Sequence, residues 1–235
     1  MSIFDELNTN AGGGDGFPGP YINWQTRRGD HAEACTWLLR SKDANGETSY
    51  HDLTPNFESG VVFDYHTIKL GWEKHAPMGR PREVKWAPTL DLSAFPRPSD
   101  EKRQNDMGKS VFVWQKTFGI RIAIGGGQVA TWNQSAFGAM LGFESWCGDL
   151  KAQGPQHIGK LPVVQFTGYS EEYGGAKSPT LVISDWIDAP DCLRQSTGAE
   201  SINTGAAEPA PQKAATTPPP AATPATSAVA SAGQF

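Results

Sequence analysis

The sequence predicts a β-dominated domain, a small Greek-key barrel with one helix and one long loop insertion, followed by a disordered tail. Three observations carry this. Short runs of aromatic and β-branched residues recur along the first part of the chain. Between them the chain is rich in breakers, with 26 Gly and 18 Pro among 235 residues. Beyond Ser196 the composition turns to Ala, Pro, Thr and Ser. A stretch of that kind buries too little apolar surface to offset the entropy of ordering it. Three parts follow: a flexible N-terminal arm over 1–20, a folded domain over 21–195, and a disordered tail over 196–235.

Taken in order, the arm is defined by Gly12-Gly13-Gly14-Asp15-Gly16 and Pro18-Gly19-Pro20. Residues 35–40 form the first convincing strand, and Asn45-Gly46 supplies a turn. Residues 60–70 read as a long second strand whose mixed polarity suits a sheet with one wet face. Five prolines over 71–108 (Pro77, Pro81, Pro88, Pro96 and Pro98) argue against any regular element there. A loop of that length inside a compact domain is usually functional or disordered. Residues 111–124 give the strongest strand signal, with Phe118, Ile120, Ile122 and Ile124 alternating onto one face. Gly125-Gly126-Gly127 turns the chain into residues 128–132, a hairpin partner.

Asn133 is placed to cap a helix running to about Lys151. Ala136, Met140, Phe143, Cys147 and Leu150 recur at helical spacing on one stripe. Gly154-Pro155 ends it. Residues 161–169 and 180–187 are two further strands, joined by a loop that carries Gly174-Gly175, and Asp188-Ala189-Pro190 closes the domain. Three strands, a helix and a two-strand hairpin is the order of the oligonucleotide-binding fold.

The bulk properties narrow the function. Net charge is −5, which argues against a protein that holds duplex DNA by a uniform positive coat. Single-strand binding remains open, because stacking supplies much of its energy. The middle of the chain is locally basic, through Lys69, Lys74, Arg80, Arg82 and Lys85, and then Lys102, Arg103, Lys109, Lys116 and Arg121. Three widely spaced cysteines do not make a disulfide framework and fit a reducing compartment. Neither a leader peptide nor a membrane-length apolar run is visible. A soluble, cytoplasmic protein is expected.

Tryptophans interleave with these cations. Trp72, Trp86 and Trp114 are the candidate stacking rings, and Lys74, Arg80, Arg82, Lys85, Lys116 and Arg121 the candidate phosphate partners. The competing reading places the same rings in the barrel core. No phosphate-loop motif, paired metal-ligand spacing or nucleophile motif accompanies them. Glu171 and Glu172 are adjacent in an expected loop and make a poor acid–base pair. No cofactor, metal or catalytic residue is expected.

Several segments carry a family resemblance: Gly60-Val61-Val62-Phe63-Asp64, Ile68-Lys69-Leu70-Gly71-Trp72-Glu73, Lys85-Trp86-Ala87-Pro88, Arg97-Pro98-Ser99, the strand through Ile124, Leu161-Pro162-Val163-Val164 and Trp186-Ile187-Asp188-Ala189-Pro190. Across roughly 35–193 the chain resembles single-stranded DNA-binding proteins of bacteriophages and prophages. The resemblance implies a non-catalytic barrel that coats single strands during phage-type replication or recombination in a bacterial host, often as an oligomer. The terminal Phe235, carried on a Pro-rich spacer, is expected to recruit replication or recombination proteins. Housekeeping proteins of this function also end in Phe, but after an acidic tip; here the end is Ala232-Gly233-Gln234-Phe235. The same aromatic surface suits two other readings, a protein-interaction or virion-associated protein, and an enzyme acting on nucleic acid.

Overall fold

The computed structural model describes residues 19–42, 45–75, 83–105, 108–172 and 175–198. The expected flexible arm up to residue 18, the terminal Phe235 and nearly all of the expected tail lie outside these residues. Three elements open the chain: β1 (Tyr21–Gln25), β2 (Thr36–Lys42) and β3 (Thr48–Asp52). A short helix, α1 (Thr54–Ser59), leads into β4 (Val61–Lys74). Then come β5 (Glu83–Trp86), β6 (Lys102–Gln104), β7 (Ser110–Phe112), β8 (Trp114–Ala123) and β9 (Val129–Gln134). The long helix α2 (Phe137–Gln153) precedes β10 (Leu161–Glu172), β11 (Ala176–Ile187) and α3 (Asp191–Gly198).

The protein is strand-dominated, and its main sheet curls into a half-barrel. Nine strands form that sheet in the order β11-β10-β4-β8-β9-β1-β2-β3, with β5 also paired to β4. All described pairings in it are antiparallel except β1 against β9. A separate two-stranded ribbon is made by β6 and β7.

Aromatic side chains fill the space under the curl. Trp37 stacks on Phe57 at 4.0 Å between ring centroids and meets Trp132 edge-on at 4.9 Å. Phe118 stacks on Phe143 of α2 at 4.0 Å, and Trp146 approaches Phe63 at 4.8 Å. Edge and offset contacts of this kind add to the burial of large rings. Helix α2 comes unusually near β11 because Gly138 and Gly142 lie one turn apart on its sheet-facing side. A Cβ on Gly142 would sit 2.7 Å from the Pro179 carbonyl oxygen, and one on Gly138 would collide with that of Lys177.

Two side chains stand in for backbone. Between Asp64 and Lys69, β4 bulges away from β8. The Thr67 hydroxyl closes the gap: it donates to the Asp64 carbonyl at 2.7 Å and accepts from the Arg121 amide at 2.9 Å. At the other side of the sheet, the Gln134 amide pairs with Trp24 and prolongs the short β1–β9 ladder. Its Oε1 accepts from the Trp24 amide at 2.9 Å and its Nε2 donates to the Trp24 carbonyl at 2.8 Å.

Several sequence expectations are corrected. Two strands, β1 and β3, flank the one expected at 35–40. The interval 71–108 is not free of regular structure: β4 runs on to Lys74, and β5 and β6 follow. The expected strand over 111–124 is two strands, parted at Val113. Asn133 does not cap a helix; it belongs to β9, and α2 starts at Phe137 after Ala136. Glu171 is in β10 rather than a loop, 3.9 Å from the Lys177 ammonium. The domain does not close at Pro190, since α3 follows and buries Leu193.

Candidate nucleic-acid interface

Seven of the eight tryptophans are buried: Trp24, Trp37, Trp72, Trp114, Trp132, Trp146 and Trp186. Trp86 alone is half-buried. The abundance of tryptophan therefore reports the core first.

The expected site residues divide into two groups. Trp72 faces Lys116 across the β4–β8 ladder and Lys85 across the β4–β5 ladder, while Lys74 faces Trp114. These five residues share one face at the far end of β4. There Trp72, Trp114 and Val113 form a small second core with Phe95. Trp72 is 6% exposed and Trp114 5%. The Trp72 indole donates to the Phe95 carbonyl at 2.9 Å. Cations cover these rings: Lys85 stands 4.9 Å from the Trp114 centroid, and Arg97 lies 5.1 Å from Trp72 and 3.6 Å from Phe112. What this cluster offers solvent is the exposed ammonium groups of Lys74, Lys85 and Lys116. Arg80 and Arg82 lie outside the described residues.

Arg121 and Trp86 belong to the opposite, polar face of the sheet. Trp86 pairs with Gly71 and Gly71 with Thr117, and Thr117 is on the same side of β8 as Arg121. From Arg121 a row crosses the sheet strand by strand. Arg121 faces Thr131, Thr131 faces Tyr21, Tyr21 faces Arg40 and Arg40 faces Tyr50. Two cations and two aromatic rings thus alternate across five neighbouring strands, with Thr131 between Arg121 and Tyr21, over a span of about 19 Å at the usual interstrand spacing. Tyr21 is 40% exposed, Arg40 is exposed, and Arg121 and Tyr50 are half-buried. His31 lies flat on Tyr50 at 4.0 Å and 12°.

Sequence reading missed Tyr21, His31, Arg40 and Tyr50. The signal was present in β1, where Tyr21, Asn23 and Gln25 alternate with Ile22 and Trp24 of the core.

At the start of the row Asp64 faces Arg121. Burial pushes the Asp64 carboxyl above its ordinary range, opposed by the charges of His66 and Arg121 and by a hydrogen bond from the His66 backbone. Beside the row a recess of about 420 Å³ opens between β1, β2 and the 29–32 turn. Among the described residues, no group of three or more His, Cys, Asp or Glu is arranged to hold a metal ion. No helix among them is long and apolar enough to cross a membrane. No protein-family model, curated protein or solved structure matches this chain.

Proposed function

We propose that this protein binds and protects single-stranded DNA without acting on it chemically, and that the strand lies across the polar face of β8, β9, β1, β2 and β3. The observation that carries this is the cross-sheet row Arg121, Tyr21, Arg40, Tyr50. Each ring is a surface for one base, worth about 1–3 kcal/mol when stacked. Each guanidinium beside it neutralises a phosphate and releases a counterion, which makes binding fall with salt. Rings and cations one or two strands apart suit a chain in which bases and phosphates also alternate.

The fold supports the same reading. The stretch β11-β10-β4-β8-β9, with α2 between β9 and β10, has the strand order of an oligonucleotide-binding barrel. In that fold the second and third strands, here β8 and β9, bind the oligonucleotide together with neighbouring loops. In this chain β1, β2 and β3 widen that surface past β9. Lys74, Lys85 and Lys116, on the other face at the β4 end, act as phosphate partners for the part of the strand that passes round that end of the sheet, and buried Trp72 and Trp114 hold them in place. Work in phage-type replication or recombination, in the cytoplasm of a bacterial host and as an oligomer, fits a strand-coating protein, with Phe235 recruiting partners.

The test is filter retention of a labelled single strand and of the matching duplex. The single strand is retained in preference, and the double substitution Tyr21→Ala, Arg40→Ala removes most of the retention while leaving thermal unfolding nearly unchanged. Equal retention of duplex, or full retention by the variant, overturns the proposal.

A further inference from the structure

The recess beside the row has a chemistry of its own. We infer that it is a base-binding subsite that selects bases carrying an exocyclic amino group over thymine, an inference that rests on the single-strand reading above. Its floor is Leu38, 6% exposed yet outside the main core cluster. An apolar floor on an otherwise polar sheet face suits the flat side of a base.

Three amides, Asn23, Gln25 and Gln115, line the recess. Their side chains have no hydrogen-bond partner among the described residues. Gln134, also in the lining, differs, because both of its amide atoms are occupied by Trp24. Unpartnered amides carry a donor and an acceptor each, which is what the edge of a base requires.

Asp30 decides which base. The tight turn that carries it is closed by a 3.0 Å hydrogen bond from the Gly29 amide to the Ala32 carbonyl, and this turn places exposed Asp30 in the lining. A carboxylate repels phosphate, so the backbone of the strand keeps to the side of the recess that Arg40 lines. The same carboxylate accepts from the amino group of cytosine or adenine. Thymine presents a carbonyl where cytosine has its amino group, and two acceptors then face each other unsatisfied. Amides alone tolerate either base by turning over; the acid does not. At the mouth, exposed His31 on Tyr50 gives a two-ring stack that the bound base extends.

The experiment compares labelled oligo-dC and oligo-dT of equal length by fluorescence anisotropy on the full chain at neutral pH. Both are pyrimidines of equal charge, and they differ in hydrogen bonding at position 4, amino against carbonyl, and at N3, acceptor against donor. The expected result is about tenfold tighter binding of oligo-dC, the discrimination of one good base contact. Asp30→Ala should bring the two affinities together by weakening oligo-dC and not oligo-dT; Asp30 is exposed, so the fold is retained. Equal or reversed affinities in the parent overturn the subsite while leaving single-strand binding intact. A preference that survives Asp30→Ala does the same. If neither strand binds, the single-strand reading itself fails and the subsite with it.

Discussion

The side-chain amide of Gln134 grips the backbone of Trp24 at both its N–H and its carbonyl, 2.9 and 2.8 Å away. It also accepts from the Trp132 indole at 3.1 Å. One amide therefore holds the first strand, and with it Tyr21, against the barrel. Gln134→Leu keeps the volume but strands three polar groups, each costing about 1–3 kcal/mol when buried and unmet. The expected outcome is a loss of about 3 kcal/mol by urea denaturation and faster amide exchange across β1. Single-strand affinity should fall with it, because Tyr21 loses its place in the row.

The expected site residues near the end of β4 separate into buried rings and exposed cations. Trp72→Ala removes a buried ring and should cost about 3–5 kcal/mol of stability, so any loss of binding by that variant reports folding. Lys74→Gln, Lys85→Gln and Lys116→Gln together should leave stability nearly unchanged. Their effect belongs in the salt dependence of binding, whose logarithmic slope flattens by about 0.7 for each phosphate contact removed. Titrations at several salt concentrations check this; an unchanged slope means these lysines do not meet phosphate.

Asp64 gives a pH prediction. Its carboxyl is held above the ordinary 3.8, chiefly by burial and against the pull of His66 and Arg121. A raised acid favours the folded state fully below 3.8, and that contribution is lost as pH rises through the folded value. At neutral pH the buried charge is a burden, so Asp64→Asn should raise the urea midpoint. Below 3.8 the parent is neutral at this position too, and the two midpoints should converge. The same variant removes the anion facing Arg121 and should tighten single-strand binding modestly.

Gly138 and Gly142 of α2 are a packing requirement. A Cβ at Gly142 would meet Pro179 at 2.6–2.7 Å, backbone carbonyl included. Alanine normally favours a helix over glycine, yet Gly142→Ala should destabilise by about 1–3 kcal/mol as helix and strand are forced apart. Thermal unfolding checks the sign. Gly148, with open space around it, is the control, and Gly148→Ala should stabilise.

Legibility in the sequence followed burial. Strands β4, β8, β10 and β11 announced themselves because one face of each is core, so apolar residues recur along them. Strand β3, Thr-Ser-Tyr-His-Asp, has no buried residue and left no such signal. Strand β1 is five residues long, and its register depends on Gln134, a partner 110 residues away. The prolines of 71–108 concealed β5, which fits between Pro81 and Pro88, and β6, a three-residue strand just after Pro98. Asn133 looks like a helix cap, but the ladder of β9 against Phe118 carries the strand through Gln134. The site was partly legible: Arg121 joins the cross-sheet row, and Trp86 lies on the same face. Counting tryptophans pointed toward the core instead, and the alternating tyrosines and arginines became a row only once the register was known.

The most direct measurement is photocrosslinking of a single strand carrying a photoreactive pyrimidine, with crosslinked peptides identified by mass spectrometry. The account predicts crosslinks on Tyr21, His31 and Tyr50, lost on competition with unlabelled single strand and kept in the presence of duplex. Crosslinks confined to surfaces away from β1, β2 and β3, or removed equally by duplex, would contradict it.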